Sequence, residues 1–202
     1  MITPRLASIP ESKRLILATE SQADNQGGQG YRECFSSTCG AIARYWGRVV
    51  SDDEYNRIRR RFGDTTNPQA QLLALRSLGL LASFVSNGSP LLLRQEIAAG
   101  RPVAVGWIHK GPLVAPVGTG HWSAAVGYNL SSVRMMDPNG EADMAGGGYV
   151  SVGRGWEGWY SWKNWRRRWE VRETSDGWVH SPGNGWALLV RDPGERGAIA
   201  AA

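Results

Sequence analysis

Three residue types that nucleophilic catalysis uses follow one another in the order cysteine, histidine, aspartate. Cys34 lies directly before a predicted helix, where unpaired backbone N–H groups and the helix dipole favour a thiolate. His121 opens an apolar strand behind a glycine-rich stretch, and Asp137 ends the next predicted strand. If these strands pair through the connection NLSS, the carboxylate can hold the imidazole in its working tautomer. The pattern predicts Cys34 as nucleophile, His121 as base and Asp137 as the residue that orients the base.

The two cysteines of the chain, Cys34 and Cys39, have different expected roles. They lie five residues apart at the predicted helix, a spacing that places them on different faces, so we expect no disulfide between them. Cys39, inside the helix, suits a small buried residue. With two cysteines and three histidines in the chain, we expect no metal site and no cofactor.

The first hundred residues are predicted to be mainly helical, with capping signals that mark each helix. Ser51 and Glu54 form a capping box, and prolines follow two further cap residues at the first helical position. Glycines follow the predicted helices and favour their termination. The predicted starts and terminating glycines are Ser36 with Gly47, Ser51 with Gly63, Asn67 with Gly79, and Ser89 with Gly100.

The second half of the chain changes to a strand pattern. Apolar, β-branched segments separated by turn residues predict strands over 102–108, 121–129, 133–137, 149–152 and 186–190. Helices followed by an antiparallel sheet indicate an α+β domain.

A tryptophan-rich segment, about 154–170, is predicted to be a helical insertion in this sheet half. Its tryptophans recur every three or four residues and therefore line one helical face. The stripe either packs onto the sheet or forms a partly exposed aromatic and basic surface for glycans or a partner, and the sequence leaves both open. The residues of the segment concerned are Trp156, Trp159, Trp162, Trp165, Trp169 and Arg166 to Arg168.

Length and composition fit one soluble globular domain with short extensions. The chain has 202 residues, is 42% apolar and 20% charged, and carries a net charge of +5. This mild basic excess favours anionic partners without selecting one, and the arginines at 57 and 59–61 are expected on a solvated helix face. We expect an N-terminal arm over 1–20, a domain over 21–192 and a disordered tail over 193–202. We expect no secretory signal, and the sequence has no apolar run long enough to span a bilayer.

Two segments resemble the bacteriocin-processing, double-glycine-leader peptidases and their stand-alone relatives. CFSSTCGAIARYWG resembles the nucleophile motif of that family, and GHWSAAVGYN followed by VRMMDPNG resembles its histidine and Asp-Pro blocks. The resemblance covers roughly residues 20 to 150 and implies a papain-like cysteine peptidase fold. It also implies an oxyanion-hole glutamine upstream of Cys34: SQADN offers Gln22, while Gln26 and Gln29 are alternatives. Ser36 departs from the family, which usually has proline after the nucleophile block.

The QxDN form resembles phage-encoded, stand-alone members most. The resemblance therefore implies a peptidase acting on peptide or peptidoglycan, carried in a phage tail or baseplate among other phage structural proteins. The expected location is the virion or the host cytoplasm, with the cell wall as the site of action and with no nucleic-acid partner and no membrane insertion. A protein-maturation protease and a non-catalytic structural or binding component of the particle are the alternatives.

Overall fold

Helices fill much of the first half of the chain, and side chains cap their starts. The computed structural model describes residues 9–26 and 29–194. Ser51, Asn67 and Ser89 each accept a hydrogen bond from a backbone N–H of the first turn that follows, as their cap role predicts. The helices of the described residues are α1 (Cys34–Tyr45), α2 (Asp52–Arg59), α3 (Pro68–Ser77), α4 (Pro90–Ala98) and α5 (Trp162–Trp169).

An antiparallel sheet of eight strands forms the rest of the fold. Its order is β2-β8-β3-β4-β5-β6, while β1 adds to β4 and β7 pairs with β8. The strands are β1 (Lys13–Arg14), β2 (Leu81–Gly88), β3 (Val103–Lys110), β4 (Val117–Tyr128), β5 (Ser132–Asp137), β6 (Trp156–Ser161), β7 (Glu170–Thr174) and β8 (Gly177–Arg191). The α+β architecture predicted from the sequence is confirmed.

Apolar residues on the two faces of the sheet build two separate cores. Side chains alternate along β3, so Ala104 packs with the α1 and α3 side chains, whereas Val103 and Val105 pack with α4 and α5. The first core also holds Cys39, which is fully buried. Helices α1 to α3 therefore lie on one face of the sheet, and α4 and α5 cover the other.

The predicted strands at 102–108, 121–129, 133–137 and 186–190 correspond to β3, β4, β5 and part of β8. The predicted strand at 149–152 is wrong, because this segment forms a loop with one isolated bridge between Ala142 and Tyr149. Residues 81–88 form β2 inside the half that was predicted to be mainly helical, and β7 was not predicted at all.

The prediction of a helix over 154–170 is wrong for its first half. Residues 156–161 form β6, which pairs with β5, and the helix begins only at Trp162. Trp165 and Trp169 are fully buried and stack with ring centroids 4.7 Å apart. Trp159 is 42% exposed, so the stripe is mainly core with one ring at the surface.

Parts of the predicted extensions lie outside the described residues, namely 1–8 of the arm and 195–202 of the tail. In the described part of the arm, Lys13 and Arg14 pair with β4, and Leu15 N–H continues this contact by donating to the Val126 carbonyl over 2.7 Å. No helix among the described residues combines the length and apolarity needed to cross a membrane.

Candidate active site

Cys34 is the first residue of α1, two residues earlier than the predicted helix start. A 3-10 turn over Gly30–Arg32 leads into it, and Glu33 N–H donates to the Gly30 carbonyl. The side chain of Cys34 is partly exposed. At this position the thiol lies beside the unpaired N–H groups of the first helical turn, a place that stabilises negative charge.

His121 and Asp137 are neighbours on paired strands. β4 and β5 run antiparallel, joined by a tight turn in which Asn129 N–H donates to the Ser132 carbonyl. The register places His121 beside the end of β5, and its Nε2 lies 2.8 Å from Asp137 Oδ1. Both side chains are buried. The strand pairing inferred from the sequence is therefore present and brings the imidazole and the carboxylate together.

The charge state of His121 is set by two partners that oppose the effect of burial. Burial by itself lowers the pKa of the imidazolium, yet interactions with the Asp137 carboxylate and the Cys34 side chain raise the pKa to about 10. Because Nε2 faces Asp137, the other ring nitrogen, Nδ1, remains for Cys34. A histidine that stays protonated beside a cysteine is an arrangement that stabilises a thiolate.

The Asp137 carboxylate is held by further donors that the sequence analysis missed. Asn139 N–H donates to Oδ1 over 2.9 Å, and the Ser123 hydroxyl donates to Oδ2 over 3.1 Å. Trp107 Nε1–H in turn donates to Ser123 Oγ over 3.0 Å, and the indole meets the His121 ring edge-on, 5.5 Å between centroids. Strand alternation places Ser123 on the same face as His121, which is a signal that the sequence did contain.

Of the three candidate glutamines, the structure brings Gln22 to the site. Gln22 is buried, and its backbone N–H donates to the Pro138 carbonyl over 2.9 Å, next to Asp137. Its side-chain Oε1 has no hydrogen-bond partner among the described residues. Gln26 and Gln29 are exposed, and Gln29 Oε1 accepts hydrogen bonds from neighbouring Tyr31 and Arg32 side chains instead.

A close approach of two loops places Gln22 beside the nucleophile segment. A Cβ added at Gly30 would lie 2.9 Å from the Gln22 carbonyl oxygen, so a larger residue would push the two segments apart. The absence of a side chain at Gly30 therefore allows Gln22 to lie close to the turn that precedes Cys34.

His109 and Tyr149 also lie beside His121. From the sequence, His109 suits either a loop residue or a substrate contact, whereas no sequence feature assigns Tyr149 to the site. His109 is on β3, and its ring centroid is 5.4 Å from that of His121. The Tyr149 ring is 5.7 Å from His121. Two further polar rings therefore surround the candidate base.

Ser36, the residue that departs from the resembled family, lies in a buried polar network under α1. Its hydroxyl accepts from Arg59 Nε and Gln71 Nε2, each over 3.0 Å, and lies 2.8 Å from Thr65 Oγ1. Arg59 also pairs with Glu33 at 3.6 Å, and both side chains are almost fully buried. The expectation that the arginines at 57 and 59–61 share a solvated face is therefore wrong for Arg59.

Comparison with solved structures identifies the fold as that of the papain-like cysteine peptidases. A protein described as a C39-like peptidase from Bacillus anthracis has a TM-score of 0.57 at 15% identity, covering 90% of this chain and 98% of its own. A double-glycine-motif protease from an AMS/PCAT transporter, solved in complex with the leader peptide, has a TM-score of 0.51 at 15% identity, covering 89% of this chain and 94% of its own. Procathepsin L 3 of Tenebrio molitor gives 0.50 at 11% identity over 93% and 72%. No protein-family model and no curated protein sequence matches the chain.

Proposed function

We propose that this chain is a cysteine peptidase. The Cys34 thiolate attacks a peptide carbonyl carbon, and His121 donates its proton to the leaving amine as the C–N bond breaks. Water then attacks the resulting thioester, with His121 accepting a proton, and releases the acid and free Cys34. Asp137 holds the imidazole, and the Gln22 amide with the Cys34 backbone N–H stabilises the oxyanion.

The observation that carries this proposal is the buried His121 ring, which is hydrogen-bonded through Nε2 to Asp137 and interacts with the Cys34 side chain. A nucleophile, a base and an orienting group in hydrogen-bond contact are the general signature of an activated nucleophile. The papain-like fold supports the same chemistry, because Cys34 begins the helix that packs against the strand of His121.

The two cysteines provide a direct test of this proposal. Brief treatment with iodoacetamide at neutral pH should label Cys34 much faster than Cys39, because Cys39 is fully buried and burial raises the pKa of its thiol. Mass-spectrometric mapping measures both rates on the same sample. Substitution of His121 by alanine should slow the labelling of Cys34 and leave Cys39 unchanged. Labelling of Cys39 before Cys34 would contradict the proposed nucleophile.

For the substrate, we propose peptide bonds of bacterial peptidoglycan, cleaved by a phage-borne enzyme. The support is the resemblance of the QxDN and CFSSTCGAI segments to phage-encoded peptidases and the net charge of +5, which suits an anionic wall. The tryptophan and arginine segment adds little support, because Trp165, Trp169 and Arg168 are buried. Protein maturation is the second candidate, favoured by the structural likeness to a protease solved with a leader peptide.

The two substrates are separated by parallel digests. Purified peptidoglycan and a synthetic leader peptide whose two glycines are followed by several further residues are incubated with the protein, and Cys34→Ala serves as the control for both. Release of wall peptides by the wild type but not by Cys34→Ala supports the wall hydrolase. Cleavage of the leader peptide without release of wall peptides supports maturation. Rapid Cys34 alkylation without turnover of either substrate would favour a binding component that retains the fold.

A further inference from the structure

Three rings with polar atoms form a cluster at the candidate base. The His109 and Tyr149 rings lie 5.4 and 5.7 Å from His121, and 5.7 Å from each other. Each comes from a different segment: His121 from β4, His109 from β3 and Tyr149 from the loop after β5. The proposed mechanism uses only His121 of these three.

His109 presents a buried polar atom with no partner among the described residues, and Tyr149 presents a buried hydroxyl. His109 Nδ1 has no hydrogen bond to any described residue, whereas the Tyr149 hydroxyl has the Asn139 side chain as its polar neighbour. Buried polar atoms of folded proteins are nearly always hydrogen-bonded, so the unpartnered His109 nitrogen beside a reactive histidine points to a ligand. Both groups are neutral near pH 7, since burial lowers the pKa of His109 to about 4 and raises the pKa of Tyr149.

The backbone that carries these two rings is fixed from behind. The β3–β4 register shifts between Ile108 and Lys110, and such an irregularity redirects the side chain at its centre, here His109. Gly148 N–H, next to Tyr149, donates to the His109 carbonyl over 2.7 Å.

The buried guanidinium of Arg168 ties the same two segments together. It donates to the carbonyls of Ile108 and Gly111 on one side and of Met144 on the other. The strand end that carries His109 and the loop that carries Tyr149 are thus joined by two independent sets of hydrogen bonds, so the spacing of the two rings is preorganised.

We propose that His109 and Tyr149 form a subsite that binds the first backbone amide on the leaving-group side of the scissile bond. This inference rests on the proposed peptidase function. His121 must come within hydrogen-bond distance of the leaving nitrogen, so the residue that carries this nitrogen lies against the rings around His121. A neutral imidazole can accept from an N–H and a phenol can donate to a carbonyl, and one peptide group offers both.

Acyl transfer tests this subsite without knowledge of the natural substrate. p-Nitrophenyl acetate acetylates Cys34 and releases a burst of nitrophenolate. The acetyl thioester is then divided between water and an added amine, either glycinamide or glycine methyl ester, whose amino groups have similar basicity. Glycinamide carries the amide N–H and the ester lacks it. The wild type should form N-acetylglycinamide about two- to tenfold more efficiently than the ester product, the range expected for one neutral hydrogen bond.

His109→Phe should abolish the preference for glycinamide, and Tyr149→Phe, which removes only a hydroxyl, should weaken transfer to both amines through the lost carbonyl contact. The burst should persist in both variants and reports that each is folded and acylated. His180→Phe and Tyr31→Phe are matched controls, because both residues are exposed and Tyr31 bonds only Gln29 among the described side chains. They should behave as wild type.

The outcomes separate failure of the subsite proposal from failure of the peptidase proposal. A wild-type burst without amide preference, or a preference that survives in His109→Phe, overturns the subsite and leaves the peptidase proposal standing. A wild type that gives no more burst than Cys34→Ala overturns both.

Discussion

At the scale of single residues, the Asp137 carboxylate determines up to what pH His121 stays protonated. Against the effect of burial, Asp137 raises the pKa of His121 towards about 10, so the imidazolium persists well above the ordinary histidine range. Asp137→Asn removes the charge and keeps the shape. We expect the alkaline limb of kcat/KM to move to lower pH and turnover at neutral pH to fall.

The measurement is the pH profile of kcat/KM, or of Cys34 alkylation if the substrate is not yet known. Asp143→Asn is a suitable control, because Asp143 carries a similar charge in a loop outside the His121 contacts. An alkaline limb that stays in place in Asp137→Asn would show that this carboxylate does not hold the proton on His121.

Gln22 provides the second prediction at this scale. Removal of one oxyanion donor typically lowers turnover by a factor of ~10²–10³. Gln22→Ala should show a loss of this size with folding intact, whereas the exposed Gln26 and Gln29 should tolerate the same change. Steady-state kcat of the three alanine variants measures this. A loss of this size in Gln29→Ala instead would show that Gln29, and not Gln22, is the oxyanion donor.

The sequence predicted that His121 and Asp137 are neighbours, because chain order and strand ends follow from local patterns. It left His109 as either a loop residue or a substrate contact, and it could not supply Trp107 or Tyr149 as neighbours of His121. Their positions depend on the pairing of β3 with β4 and on the return of the loop at 140–155, both of which are tertiary. Strand alternation could have placed Ser123 on the same face as His121, but it could not have predicted the hydrogen bond from Ser123 to Asp137.

At the scale of elements, the network under α1 fixes the helix that carries Cys34. Arg59→Met leaves the Glu33 carboxylate buried without its partner, and loss of one member of a buried ion pair typically costs about 3–5 kcal/mol. Arg57, like Arg59, belongs to α2, but its side chain is exposed, so Arg57→Met should change stability by less than about 0.5 kcal/mol. Urea unfolding of the two variants tests this, and equal midpoints would mean that the network does not stabilise the domain.

Helix caps were the most reliable signals for the elements, since Ser51, Asn67 and Ser89 act through contacts three residues away or fewer. The helix predicted over 154–170 failed in its first half because residues 156–161 pair with β5, a tertiary contact that the tryptophan spacing does not reveal. β2 was missed because only pairing with β8 distinguishes its mixed sequence from a loop.

At the scale of the whole molecule, the helical half and the sheet meet at a pair of stacked rings beside the site. Phe35 follows Cys34, Trp122 follows His121, and their rings stack in parallel with centroids 3.6 Å apart. Thr38 adds a hydrogen bond from its hydroxyl to the Trp122 carbonyl. The distance between nucleophile and base therefore depends on this contact.

Trp122→Ala should lower stability by about 3–5 kcal/mol and slow Cys34 alkylation in the fraction that remains folded. Trp159→Ala removes an exposed ring of the same size and should affect both much less. Thermal unfolding and alkylation rates are measured on the same preparations. Normal alkylation in a folded Trp122→Ala protein would show that the two halves keep their distance without the stacked rings.

The position of β8 in the sheet determines when the sheet can be completed as the chain is made. Residues 177–191 lie between β2 and β3, so a strand late in the described residues joins two strands that come much earlier in the chain. A nascent chain that has not yet emerged as far as β8 cannot complete the sheet on which His109 and His121 lie. The sheet behind the candidate site is therefore complete only after residues 177–191 have been made and have paired.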